Sequence, residues 1–241
     1  MDERSDHREI VSACERVQTA WFQVRAERLG GQVWADRGLT WIDGPDGCNL
    51  MFPDTVDTDA VQAGVEKARE LGRELVAVWL ATDKDATGLV NLGFERGGAP
   101  WWMAAPLDEV DMTGDPRVHV GVEPADIEDE ERIDGHGDWL RLAELEPGHA
   151  FYAAVRVDGA LAGHAWVLIE GEYAGIFDLE IFRPYRRHGL GAALVHAVGR
   201  LARDAGARTA VLGTTPQDSI VYRAQGFTRV GMGATWWLNL S

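Results

Sequence analysis

Asp178-Leu179-Glu180-Ile181-Phe182-Arg183-Pro184-Tyr185-Arg186-Arg187-His188-Gly189-Leu190-Gly191-Ala192-Ala193-Leu194 is the segment from which the rest of the chain can be read. Ala174–Phe182 reads as a strand, Pro184 stops it, and a helix from about Gly191 to Ala205 follows the glycines. The N–H groups that open a helix have no partner in it and carry positive partial charge, which suits phosphate. Glycines at 189 and 191 let the backbone approach a ligand closely, and Arg183, Arg186, Arg187 and His188 add cationic character. A Walker A loop or dinucleotide fingerprint is excluded, because the Gly-Lys-Ser/Thr ending and a third glycine are missing. The glycine spacing alone fits either a phosphate cradle or a plain tight turn.

Moving outward, Thr209–Gly213 reads as a strand, Asp218–Gln225 as a helix and Thr228–Asn239 as a closing β segment. Upstream, Tyr152–Val157 and Ala160–Leu168 flank Asp158-Gly159, a two-residue hairpin signal. Val118–Val122 opens this half as a strand, and an acidic helical stretch runs from there to about Leu145. Before it, Pro106–Pro116 reads as a linker.

The first half carries a helix over Ser5–Leu29, stopped by Gly30-Gly31, then strands at Gln32–Ala35, Leu39–Trp41 and Cys48–Phe52. Asp57 or Asp59 caps a helix to about Leu71, Leu75–Leu80 is β-prone, and a short helix leads to Gly93-Phe94 and a strand at Trp101–Ala105. The two halves repeat each other. Thr82 and Gly93 match Thr215 and Gly226 at an offset of 133 residues, and Trp101-Trp102-Met103 answers Trp236-Trp237-Leu238. Arg69-Glu70-Leu71-Gly72 likewise lies opposite Arg203-Asp204-Ala205-Gly206. An ordered series of this kind is an internal duplication of domain-sized copies, not a solenoid.

Arg186-x-x-Gly189-x-Gly191 after a strand resembles the Arg/Gln-x-x-Gly-x-Gly/Ala signature of the GCN5-related N-acetyltransferase (GNAT) superfamily. Thr215 to Phe227, with Tyr222 four residues before Gly226-Phe227, is similar to that family's second signature. Pro184 sits one residue closer to Arg186 than usual, and Thr215 stands where Asn is common. The resemblance implies an α/β protein with a mixed sheet and two tandem acyl-CoA N-acyltransferase domains. Residues 1–110 would form a degenerate N-terminal domain, and residues 117–241 the catalytic one. At the cofactor-loop position the first half has Phe52-Pro53-Asp54-Thr55-Val56-Asp57, without a glycine pair, and Leu89 stands at the Tyr222 equivalent. That half is expected to bind no CoA and to contribute structure and one wall of the acceptor cleft.

What the resemblance implies for the site is specific. Acetyl-CoA, as cosubstrate, would lie between the strands Ala174–Phe182 and Thr209–Gly213, held by Ile181, Phe182, Arg186, Arg187, His188, Gly189, Leu190, Gly191 and Ala192. Tyr222 matches the general acid that protonates the departing sulfur. Asp178 and Glu180 alternate along one strand, and either is placed to take a proton from an amine. His164 is a candidate for the cleft, Trp139 and Trp166 for the acceptor pocket, and no metal is expected. Direct transfer needs no protein nucleophile, and Cys14 and Cys48 lie in the other half.

Charge sharpens this expectation. The chain has 241 residues and formal net charge −16. Residues 1–146 hold 32 acids and 14 bases, whereas residues 147–241 hold 7 acids and 9 bases. Such acidity disfavours nucleic acid or anionic membrane as partner. Glu123–Glu146 holds ten carboxylates, a solvated face in most proteins but here expected to border the acceptor site and to draw in a cationic amine. Two cysteines make no disulfide framework, and the N-terminus lacks the apolar segment of a secretory signal, so a cytoplasmic protein is expected. The sequence thus points to an acetyl-CoA-dependent N-acetyltransferase of a small cationic amine or a peptide amine. A non-catalytic CoA sensor is the alternative, and a protein-interaction scaffold a third.

Overall fold

A computed structural model describes residues 3–45 and 47–240. In chain order the elements are α1 (Glu3–Arg28), β1 (Gln32–Asp36), β2 (Leu39–Gly44), β3 (Gly47–Met51), α2 (Thr58–Glu70), β4 (Leu75–Ala81), α3 (Thr87–Asn91), β5 (Glu95–Arg96) and β6 (Trp101–Pro106). The second half continues with β7 (Val118–Val120), α4 (Pro124–Asp134), α5 (Leu142–Leu145), β8 (Ala150–Val157), β9 (Ala160–Glu170) and β10 (Tyr173–Ile181). It ends with α6 (Leu190–Asp204), β11 (Thr209–Thr214), α7 (Ser219–Arg223) and β12 (Thr228–Asn239). Among the described residues no helix is long and apolar enough to cross a membrane.

The chain forms two compact units, and each draws on both halves of the sequence. One comprises Met1–Gln18 and Trp102–Val230, the other Thr19–Trp101 and Gly231–Ser241. Each half therefore gives its last strand to the other unit.

In the first of these units the strand order is β7-β8-β9-β10-β11-β6. β8 and β9 pair antiparallel through a two-residue turn in which Asp158 and Gly159 both have positive φ, the geometry that Asp-Gly favours. α6 lies on the sheet through Leu190, Leu194, Ala197, Val198 and Ala202, spaced as one helical face. Residues 106–116 are not a free linker. Leu107 and Val110 are in the same core, Leu107 N–H donates to Arg208 O at 2.8 Å, and Arg200 donates to Met112 O at 2.8 Å. Two apolar side chains among four acids were enough to dock the segment, because burying them outweighs the segment's polarity.

The acidic stretch is also not one helix. α4 starts with Pro124 behind a Glu123/Asp126 capping box and stops at Gly135, whose φ is 71°. A 3-10 turn over Gly137–Arg141 and the short α5 follow. α4 faces the sheet with charge. Asp126 and Glu130, four residues apart, are buried, while Ile127 and Ile133 are exposed. Asp126 receives Arg156 at 2.7 Å and lies 2.7 Å from His119 Nε2, and Arg156 also reaches Asp129 at 2.9 Å. These partners offset the cost of burying the carboxylate.

In the second unit the order is β1-β2-β3-β4-β12, with β5 also on β12. Here Gly233–Asn239 of β12 runs antiparallel to Leu75–Ala81 of β4. α2 is capped by Asp57, whose side chain accepts from Ala60 N–H at 2.8 Å. The core is built from Trp41, Leu50, Val61, Val78 and Leu80, with Trp236 and Leu238 packed against it.

Candidate active site

Two parallel strand pairs occupy equivalent places in the units and behave differently. β3 and β4 pair from Cys48/Val76 to Met51/Trp79, and Phe52 N–H extends the ladder to Trp79 O at 2.8 Å. β10 and β11 pair only over Tyr173–Gly175 with Thr209–Val211, although both strands continue. Beyond Gly175 the backbone of β10 is drawn to β9 alone. Phe177 stands opposite Trp166 but Glu180 opposite His164, so β10 carries one extra residue there. Asp178 sits in that bulge with φ 47°. Gly163 makes the close approach possible, since a Cβ there would lie 2.2 Å from Glu180 O.

A cleft of about 980 Å³ lies along the part of β10 that has left β11, and β11 itself contributes no lining residue. One wall is the end of β10 and the start of α6, and the opposite wall is α7. Glu130 and Asp134 of α4, His136, Trp139, His164 and Trp166 also line the cleft. Every lining residue falls between Glu130 and Gln225.

The turn before α6 offers a place for an anionic group. Gly189, at φ 77°, precedes α6 without any side-chain cap, so the first-turn N–H groups remain available to an anion. Arg186, Arg187, Gly189, Leu190, Gly191 and Ala192 all line the cleft, as does Ile181. A Cβ at Gly191 would touch Val221 at 3.4 Å and Ile181 at 3.9 Å, filling the space a ligand would use. Phe182 and His188 are not part of the lining. Phe182 N–H donates to Ala162 O at 2.9 Å, and its ring meets His164 edge-on with centroids 5.8 Å apart. His188 Nδ1 lies 3.2 Å from Tyr185 O. Arg186 donates from Nε to Ile181 O at 2.7 Å and lies 3.4 Å from Glu180 Oε1, tying the loop to the strand before it.

Tyr222 is buried against Phe227, ring centroids 5.9 Å apart, and lines the cleft from α7. Burial, then the charges of Asp218 and Asp178, push its phenol above the usual tyrosine range, so it stays protonated at neutral pH. Thr215 donates to Asp218 at 2.7 Å and accepts Asp218 N–H at 3.1 Å, holding the turn into α7. Asp178 and Glu180 are both exposed at the cleft. His136 stacks on Trp139 at 3.8 Å and 10°.

A group not foreseen from the sequence lies behind His164. Glu130 Oε1 is 2.5 Å from His164 Nδ1 and accepts the Tyr152 hydroxyl at 3.0 Å. Asp126 and Glu130 are spaced to share a helix face, but nothing in the ten-carboxylate run indicates that this face turns inward.

The sequence profile of the acetyltransferase (GNAT) family matches residues 117–232. Among curated proteins none matches the sequence significantly. Among solved structures, a GCN5-related N-acetyltransferase from Kribbella flavida is similar at TM-score 0.67 and 17% identity, covering 95% of this chain and 96% of that one. One from Sphaerobacter thermophilus is similar at TM-score 0.59 and 16% identity, covering 95% and 93%. A tandem GNAT protein from the clavulanic acid biosynthesis pathway is similar at TM-score 0.59 and 17% identity, covering 84% and 78%. At such identities the structural likeness speaks to fold alone, and it extends across both units. The splayed strands, the uncapped glycine loop and the profile match together make residues 117–232 a domain of the acetyltransferase (GNAT) family, within a chain that is an α/β protein of tandem GNAT fold.

Proposed function

We propose that the chain is an acetyl-CoA-dependent N-acetyltransferase that acts by direct transfer on a small cationic amine. The observation that carries this reading is that one cleft is lined by the start of α6, by Tyr222 and by Glu130, Asp134, Asp178 and Glu180. Acetyl-CoA supplies the activated acyl group. The chain binds the pyrophosphate at Gly189–Ala192 and orients the amine from the acidic end. Holding both substrates in line accounts for much of the acceleration in such a reaction. Tyr222, kept neutral by burial, is the proton donor to the departing thiolate. Asp178 and Glu180 attract the ammonium and are candidates to receive its proton.

The second unit binds no CoA in this reading, which the unbroken β3–β4 ladder supports because it leaves no gap between the strands. The test is thioester consumption with acetyl-CoA and four amines: spermidine, glucosamine, lysine and a lysine-containing peptide. Turnover of one or more is expected. Background CoA release with all four, while calorimetry shows acetyl-CoA bound, refutes the enzyme and leaves the CoA sensor.

A further inference from the structure

Of the two buried acids of α4, Asp126 and Glu130, only Asp126 has an arginine partner among the described residues. Asp126 and Asp129 share Arg156, and Asp129 also has Arg132. Among the described residues no Arg or Lys pairs with Glu130, and His164 is its one basic contact. The Glu130 side chain is only 2% exposed, and Tyr152, which donates to it, is fully buried. A carboxylate so placed is unfavourable unless a nearby group carries positive charge. His164 meets that need when it gains a proton. With Nδ1 turned to Glu130, Nε2 is the ring nitrogen left for the cleft that His164 lines.

We propose that His164 is the catalytic proton acceptor for the amine, with Glu130 as the positioning residue that orients its ring and stabilises the imidazolium formed. This deepens the N-acetyltransferase reading and rests on it. Asp178 and Glu180 are exposed, and Glu180 lies 3.4 Å from Arg186, so they are left to attract the ammonium. An imidazole is also the stronger base: ordinary values differ by about 2 units from a carboxylate, so proton transfer from an ammonium is about 100-fold less uphill.

The step balances as follows. His164 Nε2 takes one proton from the ammonium, and the freed lone pair attacks the thioester carbonyl carbon. The C–N bond forms, the C–S bond breaks, and the thiolate takes the Tyr222 proton. The remaining excess proton on nitrogen returns to the Tyr222 oxygen, and His164 releases its own to solvent.

The charged groups around His164 give the pH dependence its sign. Burial lowers the imidazole, but Glu130 of α4 and then Asp178 and Glu180 of β10 raise it further, so it ends above the usual histidine value. Tyr152 of β8 stays neutral, its phenol raised by burial and by Glu130 and Asp126. Asp134 and His136 line the cleft further along, and Arg186 and Arg187 stand on the cofactor loop. The base form of His164 is lost as pH falls through the raised value, so rate should fall on the acid side.

The experiment measures kcat/KM from pH 5.5 to 9.5 with whichever of the four amines turns over fastest, alongside acetyl-CoA affinity by calorimetry. His164→Gln should lose at least 100-fold at pH 8 and lose the acid-side fall, with acetyl-CoA affinity within about threefold of the parent. Glu130→Gln, nearly isosteric, should move the acid-side midpoint to lower pH, because burial then acts on His164 with less opposition. A His164→Gln protein that keeps the parental rate and profile overturns the proposal. Should that variant fail to fold, an unmoved midpoint in Glu130→Gln overturns it instead. No turnover of any amine by the parent, with acetyl-CoA bound, overturns the transferase reading and the proposal with it.

Discussion

Gly175 and Val211 are the last partners of the parallel ladder between β10 and β11, and the residues of β10 that line the cleft, Asp178–Ile181, all lie beyond that point. The extra residue at Asp178 holds β10 to β9 while releasing it from β11. A sheet interior cannot leave backbone groups unpaired without a substitute partner, so such a gap is expected to be filled by a ligand or water. The equivalent strands of the other unit remain paired through Phe52, which also has a positive φ of 43°. The left-handed residue is common to both units, and the gap belongs to one. Calorimetry should therefore find one acetyl-CoA per chain, and a second site of similar affinity would contradict that assignment.

Tyr222→Phe should lower kcat about 100-fold and leave acetyl-CoA affinity within about threefold, since it removes a proton and keeps the ring that packs on Phe227. Its raised phenol also predicts that the parent keeps activity on the alkaline side until well above ordinary tyrosine ionisation. Steady-state kinetics with calorimetry on both proteins reads the two effects separately. A variant with parental kcat removes Tyr222 from the chemistry.

Gly191→Val should weaken acetyl-CoA binding at least tenfold while lowering the melting temperature little. The added atoms would press on Val221 and Ile181 inside the cleft, and Gly191 itself has no positive φ that a side chain would strain. Gly189→Ala differs, because φ 77° costs a non-glycine residue about 1 kcal/mol, which should appear as lost stability. Titration calorimetry and thermal melts of the pair distinguish occlusion from strain.

Leu107→Ala should cost about 3 kcal/mol, as for a buried leucine elsewhere in a core, although the residue lies in a segment with the composition of a linker. Denaturant unfolding measures it. A loss below about 0.5 kcal/mol would mean that residues 106–116 are not docked as described.

Arg156→Ala should destabilise the chain by about 3 kcal/mol, because it strips Asp126 of its guanidinium inside the protein. Acid should reveal the same network. Burial raises the Asp129 carboxyl, but Arg132 and Arg156 outweigh it and hold it below the ordinary range. A group lowered on folding stabilises above its unfolded value and loses that contribution as pH falls through the folded one. The parent should thus lose stability below about pH 4, and the variant should show a smaller acid-dependent loss. Chemical unfolding at pH 7 and pH 3 gives both slopes.

Much of the fold was legible because local signals agreed with tertiary demands. Asp158-Gly159 makes its hairpin, Asp57 caps its helix, and the spacing Leu190, Leu194, Ala197, Val198 places α6 on the sheet. The turn into α6 was legible for the same reason: Gly189, with φ 77°, serves a local backbone geometry. Glu130 was not. Ile127 and Ile133 are the apolar residues of α4 besides Ala125, yet both are exposed, and the structure buries Asp126 and Glu130 instead. Burial followed the partners available, Arg156, His119, His164 and Tyr152, which lie 7 to 34 residues away in the chain.

By itself, then, the sequence determined the duplication, the glycine turn before α6 and the family of residues 117–232. The turn and the family rest on residues close together in the chain, where spacing and backbone conformation are linked directly, and the duplication on an ordered series of matches between the halves. Tertiary structure decided which acid meets which base, and which unit each closing strand completes. Trp101-Trp102 and Trp236-Trp237 are repeats of one pattern, so either strand is equally suited to either sheet. Only long-range pairing distinguishes them, placing Trp102 in the core of one unit and packing Trp236 against that of the other.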